Sequence, residues 1–371
     1  MLVAVTRVVT PARVLAPGWL RLSGSRIAEV GSGSPPYAPD VTVEGTAVPG
    51  FVDMHVHGGG GASFDAGTAA AADTVVGAHL AHGTTSMVAS LVTDTHDAMT
   101  SAIRELSLLV DDDRLAGVHL EGPWLSPLRS GAHQPGSLTD PDPAAVESLL
   151  AAGGGSVRMV TLAPELPGGL AAVAQLVAAG VVVAIGHTDA TYDLARQALD
   201  SGASVGTHLF NAMRPLHHRE PGAVGALLDS EADVELIADG VHLHPAVLRT
   251  SLRAKRGRSV LVTDAMAAAA AADGDYRLGQ MAVEVRGGVA RLAGQGAIAG
   301  STLTMDAAVR YCVHEAGIDL RDAIEAATAT PARVLGLEDV GALEPGRLAD
   351  LVVLDDGLQV LRVMRRGVWQ A

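Results

Sequence analysis

The feature of this 371-residue chain that most constrains its fold is a series of short apolar segments separated by alanine-rich stretches of helical character. Continuous apolar segments, without polar alternation, are typical of parallel strands that helices cover on both faces. After Pro49-Gly50 eight of them follow one another, at residues 51–56, 84–92, 117–120, 157–162, 181–185, 204–208, 234–238 and 259–262. Eight such units predict an α/β protein, with a closed (β/α)8 barrel of the TIM type rather than an open sheet.

The two ends of the chain differ from its middle. Over residues 1–48 short apolar runs alternate with turn residues, a pattern typical of small antiparallel strands. The tail is strand-like again and is expected to pair with the N-terminal strands. The sequence therefore predicts a small β-sandwich domain from residues 1–48 and 345–371, and a barrel domain over residues 49–344.

Residues 274–298 follow the eighth predicted strand and are polar and rich in glycine, which predicts an insertion with hairpin character. Helical patterns resume at residues 303–315 and 320–327. The most apolar stretch is interrupted by Gln175 and Gly180. It is therefore interpreted as a helix leading into a buried strand, not as a membrane span.

Composition narrows the range of partners. With a net charge of −15 and no basic runs, the chain is not expected to bind nucleic acid or anionic membranes. Its N-terminus lacks a basic start followed by an unbroken apolar stretch, so we expect a soluble, cytoplasmic protein. Cys312 is the only cysteine, which excludes an internal disulfide and a cysteine-based metal site. Lys255 is the only lysine.

Polar residues stand where several of the predicted strands end, and in a barrel of this kind reactive groups cluster at those ends. The residues are His55, His57, Glu121, His187, His208 and Asp264. Residues two apart on a strand share a face, so the first two imidazoles could hold one ion together. Nitrogen and oxygen ligands without thiolates suit zinc, iron(II), manganese or cobalt. Six groups suit two ions that share a bridging carboxylate and water better than they suit one tetrahedral ion.

Nine short motifs carry a family resemblance along nearly the whole chain. They are Pro49-Gly-Phe-Val-Asp-Met-His-Val-His-Gly, His119-Leu-Glu-Gly-Pro-Trp-Leu-Ser-Pro, Gly131-Ala-His133, Gly186-His-Thr-Asp-Ala, Thr207-His-Leu-Phe-Asn-Ala-Met, Arg219-Glu-Pro-Gly, Asp239-Gly-Val-His242, Val262-Thr-Asp-Ala-Met-Ala and Ala299-Gly-Ser-Thr-Leu. By these motifs the sequence resembles the amidohydrolase superfamily and, within it, the N-acetylglucosamine-6-phosphate deacetylases. The second and fifth motifs are the most specific.

The resemblance implies a role for each strand-end residue. The pair His55 and His57 would hold one divalent ion and the pair His187 and His208 another, with Glu121 touching one or both. Many members of the superfamily bridge their ions with a carboxylated lysine. Here Lys255 lies in a helical stretch away from any strand end, so the bridge falls to Glu121. Asp264 would be a ligand as well as the general base and then the general acid. Zinc is the expected metal, with one or two ions bound.

A phosphosugar substrate is implied by the same resemblance. The guanidinium of Arg219 suits phosphate oxygens, and the loop residue His133 would reach the substrate carbonyl or the sugar. The full set of predicted substrate-binding residues is His133, Asn211, Ala212, Arg219, His242, Ile298 and Ala299. The implied reaction converts N-acetylglucosamine 6-phosphate to glucosamine 6-phosphate and acetate. The implied assembly is a homodimer.

Two alternatives stay open on the residues alone. One is another metal-dependent amidohydrolase, such as a deacetylase of the galactosamine 6-phosphate isomer or a cyclic-amide hydrolase. The other is a metal-free scaffold with the same fold, which the six filled ligand positions argue against. His217 and His218 receive no role, and His119 is predicted to be buried and hydrogen-bonded rather than a ligand.

Overall fold

The computed structural model of the protein describes residues 1–370. Strands account for both ends of the chain and alternate with helices between them. In chain order the strands are β1 (Leu2–Val9), β2 (Val14–Leu15), β3 (Gly18–Ser23), β4 (Arg26–Ser32), β5 (Val41–Pro49), β6 (Phe51–Asp53), β7 (Gly58–Gly59), β8 (Ala62–Ser63), β9 (Thr84–Val92), β10 (Gly117–Glu121), β11 (Val157–Leu162), β12 (Val182–Ile185), β13 (Val205–Gly206), β14 (Asp233–Ile237), β15 (Ser259–Val262), β16 (Gly274–Leu278), β17 (Met281–Arg286), β18 (Val289–Leu292), β19 (Leu351–Leu354), β20 (Val360–Arg365) and β21 (Val368–Trp369).

The helices begin mostly where the sequence offers a capping side chain. Thr68, Thr95 and Thr191 each accept a hydrogen bond from a backbone N–H in the first turn that follows, which satisfies a group the helix itself leaves unpaired. None of the helices among residues 1–370 has the combined length and apolar character that a membrane crossing requires. The helices are α1 (Ala69–Ala81), α2 (His96–Asp111), α3 (Pro143–Gly153), α4 (Gly169–Ala178), α5 (Tyr192–Asp200), α6 (Gly222–Leu228), α7 (Pro245–Ala254), α8 (Met305–His314), α9 (Leu320–Ala327) and α10 (Ala329–Val334).

Eight parallel strands form the central sheet, in the order β6-β9-β10-β11-β12-β13-β14-β15. The first and last of them meet through a parallel bridge between Val56 and Ala265, and the backbone N–H of Asp264 donates to the carbonyl of His55 at 2.9 Å. These contacts close the sheet into a barrel. The predicted (β/α)8 fold is therefore confirmed, and the strand ends that carry the predicted ligands lie on one rim.

The strands at the two ends of the chain form one mixed sheet, in the order β21-β20-β19-β5-β1-β3-β4, with β2 paired to β1. Strand β19 pairs with β5, so the predicted pairing of the tail with the N-terminal strands is confirmed, and the pair is antiparallel. A bridge between Arg26 and Leu348 brings β4 back toward the start of β19, so the sheet folds over its own apolar face. Strand β5 continues through Gly50 directly into β6, the first barrel strand.

The glycine-rich insertion forms a three-stranded antiparallel sheet of β16, β17 and β18. It packs through its own small apolar cluster, which also contains Val92 and Met266 from the barrel ends. Leu278 at the end of β16 and Ile298 after β18 line the cavity above the barrel. The predicted hairpin character is confirmed, and the insertion forms one wall of the candidate site.

Candidate metal centre at the barrel rim

Two imidazoles follow the first barrel strand directly. His55 and His57 are both buried, and their Nε2 atoms lie 3.1 Å apart. Each ring uses its other nitrogen elsewhere: Nδ1 of His55 lies 2.9 Å from a carboxylate oxygen of Glu235, and Nδ1 of His57 lies 3.2 Å from the carbonyl oxygen of Ser90. Because both partners are acceptors, each Nδ1 carries a proton and each Nε2 is directed to the shared point.

Glu121, the last residue of β10, lies between two pairs of histidines. Its Oε1 is 3.0 Å from Nε2 of His187 and 3.0 Å from Nε2 of His208. Its Oε2 is 3.2 Å from Nε2 of His57 and 3.6 Å from Nε2 of His55. One carboxylate thus faces both pairs, one oxygen to each.

His187 and His208 follow β12 and β13, and their Nε2 atoms are 3.1 Å apart. Nδ1 of His187 donates to the carbonyl of Arg129 at 2.8 Å, which again leaves Nε2 free. Both residues have positive φ, 46° and 27°, and so does Asp264, at 47°. Such a backbone is uncommon outside glycine and costs on the order of 1–3 kcal/mol per residue. Each of these strands therefore ends in a strained turn at the residue that projects into the site.

Asp264 completes the cluster from the end of β15. Its Oδ1 lies 3.3 Å from Nε2 of His57 and 3.6 Å from Nε2 of His55. The six predicted ligands are thus brought together. The order of the predicted strands already indicates that these residues lie on one rim. The structure adds that Asp264 lies beside the pair His55 and His57.

His133 also reaches this cluster but presents a different face. Its Nε2 lies 3.3 Å from Oε2 of Glu121, while its Nδ1 accepts the backbone N–H of Thr93 at 3.2 Å. Since Nδ1 is an acceptor, the proton of the neutral ring must be on Nε2. Burial lowers the pKa of His133 to about 4, despite the nearby Glu121, so the ring is neutral at pH 7. His133 is therefore built to donate a hydrogen bond, not to bind a cation.

The local loop structure supports this arrangement. Gly131 has a φ of +56°, and a Cβ there would lie 2.9 Å from Cε1 of His187. A side chain at this position would be strained and would press on a predicted ligand. Glycine thus permits the loop after β10 to approach the rim closely enough to present His133.

The electrostatics of the cluster favour a positive charge at its centre. Burial alone lowers the pKa of His57, but hydrogen bonding with Asp264 and Glu121 raises it to about 9. Burial raises the pKa of Asp264, and the charges of His55 and His57 reverse this and hold it below its usual value. The pKa of Glu121 is likewise held well below its usual range, against burial, by the charge of His55 and by hydrogen bonds with His133 and His187.

The donor set also has the spacing that a cation requires. Ligand bonds of about 2.0–2.1 Å in a tetrahedron place neighbouring ligand atoms about 3.3 Å apart. The separations observed within each pair and to Glu121 are 3.0–3.2 Å for all but the longer contact from His55. Three of the four imidazoles have Nδ1 on a carboxylate or carbonyl acceptor, the arrangement typical of histidines that bind metal through Nε2. The residues therefore fit one or two divalent ions.

The predicted substrate residues separate into two groups in space. Asn211, Ala212, His242 and Ile298 line the same cavity as the ligands, and Ala299 is buried directly beside it. Arg219 is not among the described residues that line this cavity. It is exposed, and its guanidinium lies 2.7 Å from Nε2 of His218. The structure thus does not place Arg219 in the cavity within a single chain.

His242 has the features of an anion-binding side chain. Its Nδ1 lies 2.7 Å from a carboxylate oxygen of Asp239. Burial lowers the pKa of His242, but the hydrogen bond and charge of Asp239 raise it above its usual value. The Asp239 carboxylate therefore stabilises the protonated form of this ring, which lies at the wall of the cavity.

Several buried or partly buried polar residues that support the ligands were not predicted. Asp53 joins the first and last barrel strands, with Oδ2 accepting the hydroxyl of Thr263 at 2.5 Å. Asp189 pairs with both Arg129 and Arg214, at 2.7 and 2.6 Å, and so connects three rim loops. Glu235 supports His55. Asp53 and Glu235 are lone charges within apolar strand segments, and this is the sequence signal that points to them. Nothing in the sequence indicated the arginine pair of Asp189.

Two residues that the sequence excludes as metal ligands, His119 and Lys255, have other hydrogen-bond partners in the structure. His119 is fully buried, and its nitrogens lie 2.9 Å from the hydroxyls of Ser90 and Thr161. Lys255 directly follows α7, and its Nζ donates to the carbonyls of Leu227 and Ser230 at 3.1 and 2.6 Å. The only lysine thus binds carbonyl groups at the end of α6, and it is not one of the residues that could bridge two metal ions.

The fold and this centre define a class of protein, and comparison with known sequences agrees. The amidohydrolase family profile matches residues 46–369, and the chain belongs to that family. Over 341 residues it is 40% identical to the N-acetylglucosamine-6-phosphate deacetylase of Bos taurus, covering 87% of this chain and 83% of that protein. It is also 38% identical over 372 residues to the N-acetylgalactosamine-6-phosphate deacetylase of Escherichia coli O157:H7, covering 98% of each.

A solved structure resembles the fold throughout. It is a mutant of N-acetyl-D-glucosamine-6-phosphate deacetylase from Mycobacterium smegmatis in complex with N-acetyl-D-glucosamine-6-phosphate. The TM-score is 0.98 at 49% sequence identity, over 100% of this chain and 98% of that one. The structural resemblance therefore extends over the whole of this chain.

Proposed function

We propose that this protein hydrolyses the acetamide of N-acetyl-D-glucosamine 6-phosphate to D-glucosamine 6-phosphate and acetate, using one or two divalent ions. The observation that carries the proposal is the position of Glu121 between two histidine pairs, with Asp264 beside the first pair. The 49% identity to a deacetylase solved with this phosphosugar supports the choice of substrate.

The metal ligands follow from the atoms that face one another. His55, His57 and Asp264 would hold the first ion, His187 and His208 the second, and Glu121 would contact both. A divalent cation at such a site supplies Lewis acidity, which polarises a carbonyl and lowers the pKa of water. Zinc suits this nitrogen and oxygen donor set, and iron(II), manganese and cobalt are the alternatives.

The proton transfers fall to Asp264. Its carboxylate has a low pKa and lies at the mouth of the barrel, so it is ionised and can accept a proton from the attacking water. The same carboxyl then returns the proton to the departing amine nitrogen. His133, neutral with its proton on Nε2, would donate to the carbonyl oxygen of the substrate as negative charge develops there.

Recognition of the phosphosugar would come from the opposite wall of the cavity. His242, when protonated, would supply a positive charge, and Asn211 together with the backbone of Ala212 would complete the contacts to the phosphate. We include Arg219 as a phosphate ligand as well. Since it lies outside the cavity of the single chain, its participation would require either movement of its loop or the neighbouring subunit of a homodimer, which we propose as the assembly.

Two further proposals concern organisation and location. We divide the chain into a small β domain, residues 1–48 and 345–371, and a catalytic barrel, residues 49–344. We place the protein in the cytoplasm, where amino-sugar phosphates are metabolised.

The experiment that tests the function is a substrate panel with purified enzyme. N-acetylglucosamine 6-phosphate should release acetate, and treatment with a chelator followed by dialysis should abolish that release until a divalent ion is restored. N-acetylglucosamine without the phosphate should be a poor substrate. Full activity in protein shown by elemental analysis to be free of metal would disprove the mechanism.

A second candidate function is favoured by one comparison. The relative from Escherichia coli O157:H7 covers 98% of this chain and is named for the galactosamine isomer. Adding N-acetylgalactosamine 6-phosphate to the same panel decides between the two, since kcat/KM for the preferred epimer should be the larger.

Arg219→Ala tests the phosphate site. Loss of a charge-assisted contact of about 1.5–3 kcal/mol should reduce kcat/KM for the phosphorylated sugar about ten- to a hundredfold. The unphosphorylated sugar should hardly be affected. Arg256→Ala, at another exposed arginine, serves as the control. Equal losses on both sugars would make Arg219 structural.

A further inference from the structure

One carboxylate in the barrel is buried and belongs to no ligand set. Glu235, in the middle of β14, is fully buried, and its side chain lies among the histidines of the rim. It is a charged residue in an otherwise apolar strand segment, Val234-Glu-Leu-Ile237. Burying a charge is strongly unfavourable unless the group is hydrogen-bonded, so its partners should explain why it is there.

The partners of Glu235 belong to both halves of the centre. Its Oε2 accepts Nδ1–H of His55 at 2.9 Å and the backbone N–H of His208 at 3.1 Å. Its own carbonyl accepts the backbone N–H of Leu209 at 2.9 Å. Its Oε1 has no partner at all among the described residues. All of the polar contacts of this side chain are therefore directed at candidate ligands.

These contacts act on His55 in a specific way. By accepting Nδ1–H, Oε2 fixes the tautomer of the ring and directs the lone pair of Nε2 toward His57 and Glu121. Carboxylate partners of this kind also make a ligating imidazole more basic. Glu235 contacts His208, by contrast, only at the backbone N–H and not at the ring. Nδ1 of His208 has no partner among the described residues.

We propose that Glu235 is a positioning residue for the first metal subsite, formed by His55, His57 and Asp264, and that it acts there through His55. The inference rests on the proposed metal-dependent function. It makes the two subsites unequal: loss of the Glu235 contact should weaken binding of the first ion and leave the second nearly unchanged.

Two conservative variants separate the position of the oxygen from its charge. Glu235→Asp keeps the charge but withdraws the oxygen from His55 by one methylene, whereas Glu235→Gln keeps an acceptor at the right distance without the charge. Val234→Ala is the matched control, because it truncates a buried neighbour in the same strand whose side chain lies on the opposite face. His57→Ala shows which of the ions belongs to the first subsite.

The measurement is the binding of Zn²⁺ to the metal-free full chain, by competition with a chelating dye, with stoichiometry from elemental analysis. In Glu235→Asp we expect about 10- to 100-fold weaker affinity for the ion that His57→Ala removes, with the other ion unchanged. Glu235→Gln should lie closer to the wild type, and Val234→Ala should bind both ions normally.

Three outcomes would overturn the inference. They are unchanged affinities in Glu235→Asp, equal weakening of both ions, and a wild-type protein with a single ion that His57→Ala does not affect. None of these bears on the deacetylase reaction, since acetate release by the wild type is measured separately. The two proposals can therefore fail independently.

Discussion

The rim of the barrel differs from the mixed sheet formed by the two ends of the chain, here called the terminal sheet. The two regions differ in backbone conformation and in the polarity of their buried side chains. On the rim, His187, His208 and Asp264 have left-handed backbone and buried polar side chains. In the terminal sheet, residues with positive φ are confined to turns, such as Leu358 and Arg366, and the inner face is a continuous apolar cluster. The rim contains strained backbone and buried polar groups, which lower stability but form the candidate site. The terminal sheet buries apolar side chains, which stabilises the fold.

This contrast predicts how variants should behave. Changes on the rim should alter metal binding and turnover far more than folding stability. Changes in the terminal sheet should do the reverse. For His208→Ala and Leu351→Ala, turnover and unfolding free energy are measured in the same preparation, so that the contrast can fail.

The largest expected effect is that of His208→Ala. The only polar contacts of the His208 side chain are those of Nε2 with Glu121 and His187, since its Nδ1 has no partner among the described residues. Turnover should fall to background, whereas the unfolding free energy of the metal-free protein should change by no more than about 1 kcal/mol. Acetate release and urea unfolding measure the two. His96→Ala, at an exposed histidine, should change neither, and a cooperative loss of fold in His208→Ala would contradict the contrast.

Next comes Asp264→Asn, which keeps the size of the side chain and removes its ability to take up a proton. General acid–base groups typically contribute about 10²–10⁴-fold, and kcat should fall by that much while metal content stays unchanged. Metal analysis and turnover in the same sample are compared. If the variant keeps its metal and kcat within about tenfold of wild type, short of that range, Asp264 is only a ligand. His133 would then be the first candidate for proton transfer.

Much of the rim could be predicted because its signals are local in sequence. A polar residue at the end of an apolar run, counted over eight runs, suffices to bring His55, Glu121 and Asp264 to one end of a barrel. The prediction that residues 320–327 form a helix agrees with α9 residue for residue. Periodicity and capping chemistry carry such information without reference to the rest of the chain.

What the sequence could not provide are relations between distant segments. Which nitrogen of His133 carries the proton depends on the backbone of Thr93, 40 residues away. The support of His55 by Glu235 spans 180 residues. For Arg219, the motif identifies the type of residue, but it does not show whether the loop of Arg219 reaches the cavity. Contacts of this kind are fixed only when the barrel closes.

Leu351→Ala tests the other side of the contrast. Leu351 is fully buried in β19, opposite Pro49 of β5 and Met364 of β20. Truncating a buried leucine typically lowers the unfolding free energy by about 2–5 kcal/mol. Urea unfolding should show this loss, with metal stoichiometry and turnover per folded molecule unchanged. Since β5 continues into the strand that precedes His55, a reduced metal content would show that the sheet also positions the rim.

The smallest expected effect concerns Asp306 and acid stability. This buried residue in the first turn of α8 accepts hydrogen bonds from His82 at 3.1 Å and from Arg310 at 2.7 Å. Burial alone raises the pKa of Asp306, but hydrogen bonds from His82, Thr304 and Arg310 lower it to about 2, against 3.8 in the unfolded chain. A depressed carboxyl pKa stabilises the fold above the unfolded value, and that contribution is lost as the pH falls through the folded value.

Asp306→Asn should therefore lower the unfolding free energy at pH 6 by about 2 kcal/mol, the free energy that corresponds to this difference in pKa. At pH 3 the difference from wild type should shrink to about 1 kcal/mol, because the wild type loses part of the contribution as protons bind. Urea unfolding of both proteins in the presence of chelator excludes effects of metal release. Asp97→Asn, at an exposed aspartate of α2, provides the control. A difference that stays constant between pH 6 and pH 3 would mean that Asp306 stabilises the helix by packing alone, and that acid sensitivity arises on the rim rather than outside it.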